Sequence, residues 1–66
     1  MTDTQIREWC EAHIEMPVKE YINEASEYKY RHYIKYENGD TYELTILGKW
    51  TEKKTLRING EIVKEF

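Results

Sequence analysis

The hydrophobic positions of this chain change period once along its length. In the first part they recur at Ile6, Trp9, Cys10, His13 and Ile14, then at Val18, Tyr21, Ile22 and Ala25. Steps of three and four put such residues on one face of a helix. From Tyr28 the step becomes two. Tyr28, Tyr30, His32, Ile34 and Tyr36 share one side of an extended chain, and Lys29, Arg31, Tyr33 and Lys35 share the other. The next run alternates as well, with Tyr42, Leu44 and Ile46 set against Glu43, Thr45 and Leu47.

Local signals place the helix ends. Thr2 and Gln5 have the spacing of a capping box. Pro17 lacks a backbone donor and drives Met16 away from helical angles, so it ends the first stripe and suits the first position of a second helix. The two stripes are nearly in phase, which makes one helix kinked at Pro17 the competing arrangement. An interior proline costs about 3 kcal/mol, and the pattern therefore favours two helices.

The two alternating runs predict a hairpin that turns near Asn38-Gly39. A two-residue loop at this pair would set Ile34 opposite Glu43 and Lys35 opposite Tyr42, matching apolar positions with polar ones. A three-residue loop of Glu37, Asn38 and Gly39 sets Ile34 opposite Tyr42, His32 opposite Leu44 and Tyr30 opposite Ile46. The expected turn is therefore a type I turn with a bulge and a left-handed Gly39. Most of the tyrosines then belong to the core face, covered by Ile6, Trp9, Tyr21 and Ile22, while Tyr33 stands on the open face. Beyond Gly48 comes a charged turn carrying Trp50, then strands over 55–58 and 61–66 joined at Asn59-Gly60, a hairpin whose register both loop lengths satisfy.

The expected fold is α+β: two short N-terminal helices packed on one face of a four-stranded antiparallel meander sheet. It forms a single small domain over residues 1–66, with a helical acidic part over 1–27 and a β part over 28–66. The last strand is expected at an edge, where pairing with a second copy could give a homodimer.

Length and composition narrow the classes. A chain of 66 residues buries only about 60% of its unfolded surface, so domains of this size often gain a staple or a partner. The single cysteine, Cys10, excludes an internal disulfide and fits a reducing compartment. There is no apolar run of membrane-spanning length and no signal segment, which points to a soluble cytoplasmic protein without a membrane contact.

Charge is unevenly spread: residues 1–27 carry seven acids against two bases, and residues 28–66 carry six acids against eight bases. Glu8, Glu11 and Glu15 fall outward on the first helix, and Glu20, Glu24 and Glu27 outward on the second. Such rows are either ordinary solvated faces or an acidic strip that docks on a basic surface. The row Lys29, Arg31, Tyr33 and Lys35 could contact phosphates and stack one base, or be a plain sheet surface. Trp50, in its charged turn, is a candidate anchor for a protein contact.

Catalytic signatures are missing. The three glycines sit at turns and form no phosphate loop. Cys10, His13 and His32 could meet around zinc, but no second ligand pair appears, so a buried thiol and a packed histidine are the preferred explanation, and an apolar setting would raise the pKa of Cys10. No enzyme activity, cofactor or metal is expected. In general make-up (very short, rich in Tyr, Glu and Lys, one Cys, no catalytic signature) the chain resembles small accessory proteins of bacteriophages, some of which inhibit host enzymes or defence complexes. The leading expectation is a non-catalytic module that binds and modulates a larger protein partner through Glu8, Glu11, Glu15 and Trp50. The alternative is nucleic-acid binding through Lys29, Arg31, Tyr33 and Lys35.

Overall fold

The computed structural model describes residues 1–26, 29–48 and 53–66. Among these residues one helix, α1 (Asp3–His13), precedes five strands: β1 (Val18–Ala25), β2 (Lys29–Tyr36), β3 (Thr41–Leu47), β4 (Lys53–Ile58) and β5 (Glu61–Glu65). The strands pair antiparallel in sequence order, β1-β2-β3-β4-β5, so β1 and β5 are the edges. The α+β class stands, with one helix instead of two and five strands instead of four.

α1 begins as its residues dictate. The Thr2 hydroxyl accepts from the Gln5 amide at 3.2 Å, and the Gln5 side chain accepts from the Thr2 amide at 2.8 Å, closing the capping box. The helix ends before Pro17, as expected from the missing donor. Past Pro17 the structure departs from the helical expectation. Val18 to Ala25 is neither a second helix nor the continuation of a kinked one; it is the edge strand β1.

A bulge explains the misleading spacing. Val18 lies opposite Tyr36 and Glu20 opposite Lys35, leaving Lys19 as an extra residue. Val18 and Tyr21 therefore share a face although they are three apart, a step that imitates a helix turn. Once past the bulge, β1 alternates: Tyr21, Asn23 and Ala25 lie opposite Ile34, His32 and Tyr30 on the helix-bearing face. Glu20, Ile22 and Glu24 occupy the other face, opposite Lys35, Tyr33 and Arg31. Tyr21 and Ile22 thus do not reach the sheet from a helix, and Glu20 and Glu24 are not part of a helical strip.

The two Asn-Gly pairs make different turns. At the β2–β3 connection Ile34 pairs with Tyr42, His32 with Leu44 and Tyr30 with Ile46, the register of the three-residue loop. Gly39 has φ +93°, its amide donates to the Tyr36 carbonyl at 3.0 Å, and the Tyr36 amide donates to the Asp40 carbonyl at 2.9 Å. At the β4–β5 connection Asn59 and Gly60 both have positive φ (53° and 82°), and Ile58 pairs with Glu61 across a two-residue type I′ turn. A Cβ on Gly39 would touch nothing within 4 Å. The cost of Gly39→Val is then backbone strain alone, about 1–2 kcal/mol. A fall in melting temperature of about 5–15 °C is the expected readout for a domain of this size.

α1 lies across one face of the sheet. Near its start Asp3 pairs with Lys64 of β5 at 3.4 Å, and at its end His13 meets Asp40 beside the β2–β3 loop at 2.7 Å. It covers the turn end of the sheet, where the core sits: Tyr36, Leu56 and Ile58 are buried. Among the described residues no side chain is fully enclosed, and toward the other end of this face Tyr30, His32 and Ile46 are only half-buried.

Candidate functional site

Between the C-terminal half of α1 and strands β1–β3 runs a groove of about 420 Å³. Trp9, Cys10, His13 and Ile14 form one wall, and Met16, Val18, His32, Ile34, Tyr36 and Tyr42 form the floor and the other wall. Trp9 sits at the centre of the helix docking. Its ring stacks on His13 at 3.8 Å, lies parallel to Tyr42 at 6.1 Å, and meets Tyr36 edge-on at 5.8 Å. Such aromatic contacts prefer offset or edge geometry and hold the helix without close backbone approach. Outside this cluster the apolar side chains are open, with Ile14 82%, Val18 50% and Tyr21 54% exposed.

Among the described residues no carboxylate, lysine or arginine lines the groove, and His13 turns its ring nitrogens away into a polar clasp. Burial pushes the Tyr36 and Tyr42 hydroxyls up from 10.0, and the Cys10 thiol rises from 9.0 through desolvation and the neighbouring Glu11 charge. These three groups stay neutral, so the groove favours apolar or aromatic occupants with polar edges.

The clasp converges on Asp40, a residue that alternation along β2 and β3 marks only as the neighbour of Tyr36. Its carboxylate receives His13 Nε2 at 2.7 Å, Asn38 Nδ2 at 3.0 Å and Asn59 Nδ2 at 3.2 Å. The other ring nitrogen of His13, Nδ1, lies 2.7 Å from the Trp9 carbonyl oxygen. One carboxylate thereby ties α1, the β2–β3 loop and the β4–β5 turn. These donors, led by His13, hold the Asp40 carboxyl below its ordinary 3.8.

That lowered pKa links stability to pH. A carboxyl whose pKa is lowered in the folded state stabilises the fold above its unfolded value and loses that contribution as pH falls through the folded value. The melting-temperature gap between the native chain and Asp40→Asn is therefore expected to be widest above pH ~5 and to narrow below pH ~3.8. Thermal melts of the two proteins from acid to neutral pH check it; a gap independent of pH would mean that the carboxylate charge contributes nothing.

The same clasp bears on the zinc and nucleophile readings. Cys10, His13 and His32 all line the groove, but both ring nitrogens of His13 lie against the Trp9 carbonyl and the Asp40 carboxylate, so neither is directed at a metal or a thiol in the groove. Among the described residues no group of three His, Cys, Asp or Glu is placed to hold a metal ion. Among the described residues His32 makes long contacts from Nδ1, to the Tyr21 hydroxyl at 3.3 Å and the Tyr30 hydroxyl at 3.5 Å.

The remaining candidates separate. Glu8 and Glu11 are exposed on α1, Glu11 with Arg7 at 3.9 Å, while Glu15 is exposed in the turn after the helix. Trp50 and Glu27 lie outside the described residues. Lys29, Arg31, Tyr33 and Lys35 do form one row of β2 on the face away from α1, as their alternation predicts. That row is interleaved with acids. Glu43 on β3 accepts from Arg31 Nε and Nη2 at 3.3 and 3.2 Å and from Arg57 of β4 at 3.3 Å, and Arg31 also packs over Tyr33 at 5.1 Å. Glu20 and Glu24 of β1 stand in register opposite Lys35 and Arg31. Among the described residues no helix is long and apolar enough to cross a membrane. Compared with protein-family models, curated proteins and solved structures, the chain matches none.

Proposed function

We propose that this protein is a small non-catalytic interaction module that binds and modulates a larger protein. The observation that carries this reading is the incomplete cover of the apolar sheet face. α1 protects one end only, the groove beside it is lined by Ile14 and Val18, and Tyr21 stands next to the groove's His32; Ile14, Val18 and Tyr21 are each at least half exposed. Contiguous apolar surface with a polar border is characteristic of an interaction site. Glu8, Glu11 and Glu15 stand on or just after the helix that forms one wall, and they would border such a contact rather than make it alone. The competing reading, nucleic-acid binding by Lys29, Arg31, Tyr33 and Lys35, needs a positive field, and the interleaved Glu20, Glu24 and Glu43 weaken that field.

The test is capture of partners from a bacterial lysate, with and without nuclease, using the native chain and Val18→Asp/Tyr21→Asp. A protein retained after nuclease treatment by the native chain and lost by the double variant is the expected result. Capture that disappears with nuclease, and persists in the double variant without it, would shift the function to nucleic acid.

A further inference from the structure

The two sheet edges are not equivalent. β5 is five residues long and is interrupted by a bulge at Val63, where Leu56 pairs with Lys64 but Arg57 with Ile62. β1 pairs with β2 alone among the described strands, and after the bulge at Lys19 it runs in unbroken register from Glu20 to Ala25. Its outer side presents a row of backbone donors and acceptors without a strand partner, a template for an added strand. One bulge and Lys64 interrupt β5 in its middle, whereas in β1 the bulge and Lys19 lie only at the start of the strand.

The two faces of β1 define the strand that would pair with it. On the helix-bearing face Val18 lines the groove with Ile14 and Ile34, and Tyr21 stands in register opposite Ile34 with its ring edge-on to His32 at 5.0 Å. On the opposite face Glu20 and Glu24 flank Ile22. In an antiparallel strand pair, opposite charges across from each other are favourable and like charges are not. A second copy of β1 centred on Ile22 would set Glu20 against Glu24 twice, which disfavours that self-pairing. The complementary strand carries Lys or Arg across from Glu20 and Glu24 and large apolar side chains on its groove side.

Resting on the interaction-module reading, we infer that the outer edge of β1 is a docking site for an extended basic segment of the partner. That segment joins the sheet as a sixth strand, its apolar side chains entering the groove beneath α1. Main-chain hydrogen bonds to β1 supply affinity, and the groove and the Glu20/Glu24 pair supply selectivity.

The test uses two synthetic heptapeptides, one alternating Lys with Val and Phe, the other with Glu in place of each Lys, titrated into the full-length ¹⁵N-labelled protein. The expected result is that the basic peptide shifts the amides of residues 20–25 and of Ile14 and Ile34, and slows hydrogen exchange along β1. Glu20→Lys/Glu24→Lys is expected to weaken the basic peptide by about tenfold and to bring the acidic peptide into range, as the energies of two cross-strand charge pairs require. Glu20→Gln/Glu24→Gln should fall between, and it keeps the test decisive if the lysine variant loses its fold. Equal binding of the two peptides, or shifts confined to β5 or to the Arg31 face, would overturn the edge assignment. A lysate partner still captured by the Gln variant and footprinted away from β1 would overturn it too, while leaving the interaction module intact; failure of the native chain to capture any protein sinks the module itself.

Discussion

Replacing Trp9 with alanine is expected to release α1 from the sheet and cost about 2–3 kcal/mol, with a fall in melting temperature of about 10–20 °C for a domain of this size. The indole makes three ring contacts, to His13, Tyr36 and Tyr42, and these form the centre of the helix docking. At its ends α1 has a polar pair at the strongly exposed Asp3 and, at His13, the Asp40 contact with an edge-on ring contact to Tyr36 at 4.9 Å. An isolated helix of 11 residues is marginal in water, so α1 depends on this packing for its existence. Far-UV circular dichroism should show loss of helical signal at temperatures where the sheet persists. A variant that melts within a few degrees of the native protein would mean that the polar clasp at Asp40 holds the helix by itself.

Ile58→Ala is expected to cost about 3 kcal/mol, as large-to-small changes in cores do. Ile58 is 4% exposed, lies opposite Tyr42 on the helix-bearing face, and sits in the best covered part of the sheet. The same change at Ile62, 53% exposed on the edge strand, should cost under about 1 kcal/mol. Denaturant unfolding of both variants gives the comparison, and equal losses would place the core elsewhere. A chain of this length has a total stability of about 3–10 kcal/mol, so either of the two large losses threatens folding at ordinary temperature. Thin stability also bears on function. A partner strand on β1 with side chains in the groove would bury surface that α1 leaves open, and a ligand that binds only the folded state stabilises it by mass action.

Much of the local structure is legible in the residues themselves. Thr2 and Gln5 announce the start of α1, Pro17 announces its end, and the alternation from Lys29 to Leu47 defines β2, β3 and the face each side chain takes. Even the unusual turn at Gly39 is legible, because only a three-residue loop brings Ile34 opposite Tyr42 and Tyr30 opposite Ile46. These features depend on neighbours in the chain or on parity between two adjacent strands, and both are present in the sequence.

Other features arise only when the elements assemble. Val18, Tyr21, Ile22 and Ala25 satisfy a helical period and, with one bulge at Lys19, also a strand; the open side of β2 resolves the ambiguity, since its backbone groups gain partners only if this segment extends. The second Asn-Gly turn admitted two registers, and pairing of β4 with both β3 and β5 selects one. The clasp at Asp40 draws on His13, Asn38 and Asn59, two of them distant in sequence, and no local pattern marks them. The groove and the free edge of β1 are likewise properties of assembly: they exist because one short helix can cover only one end of a five-stranded sheet.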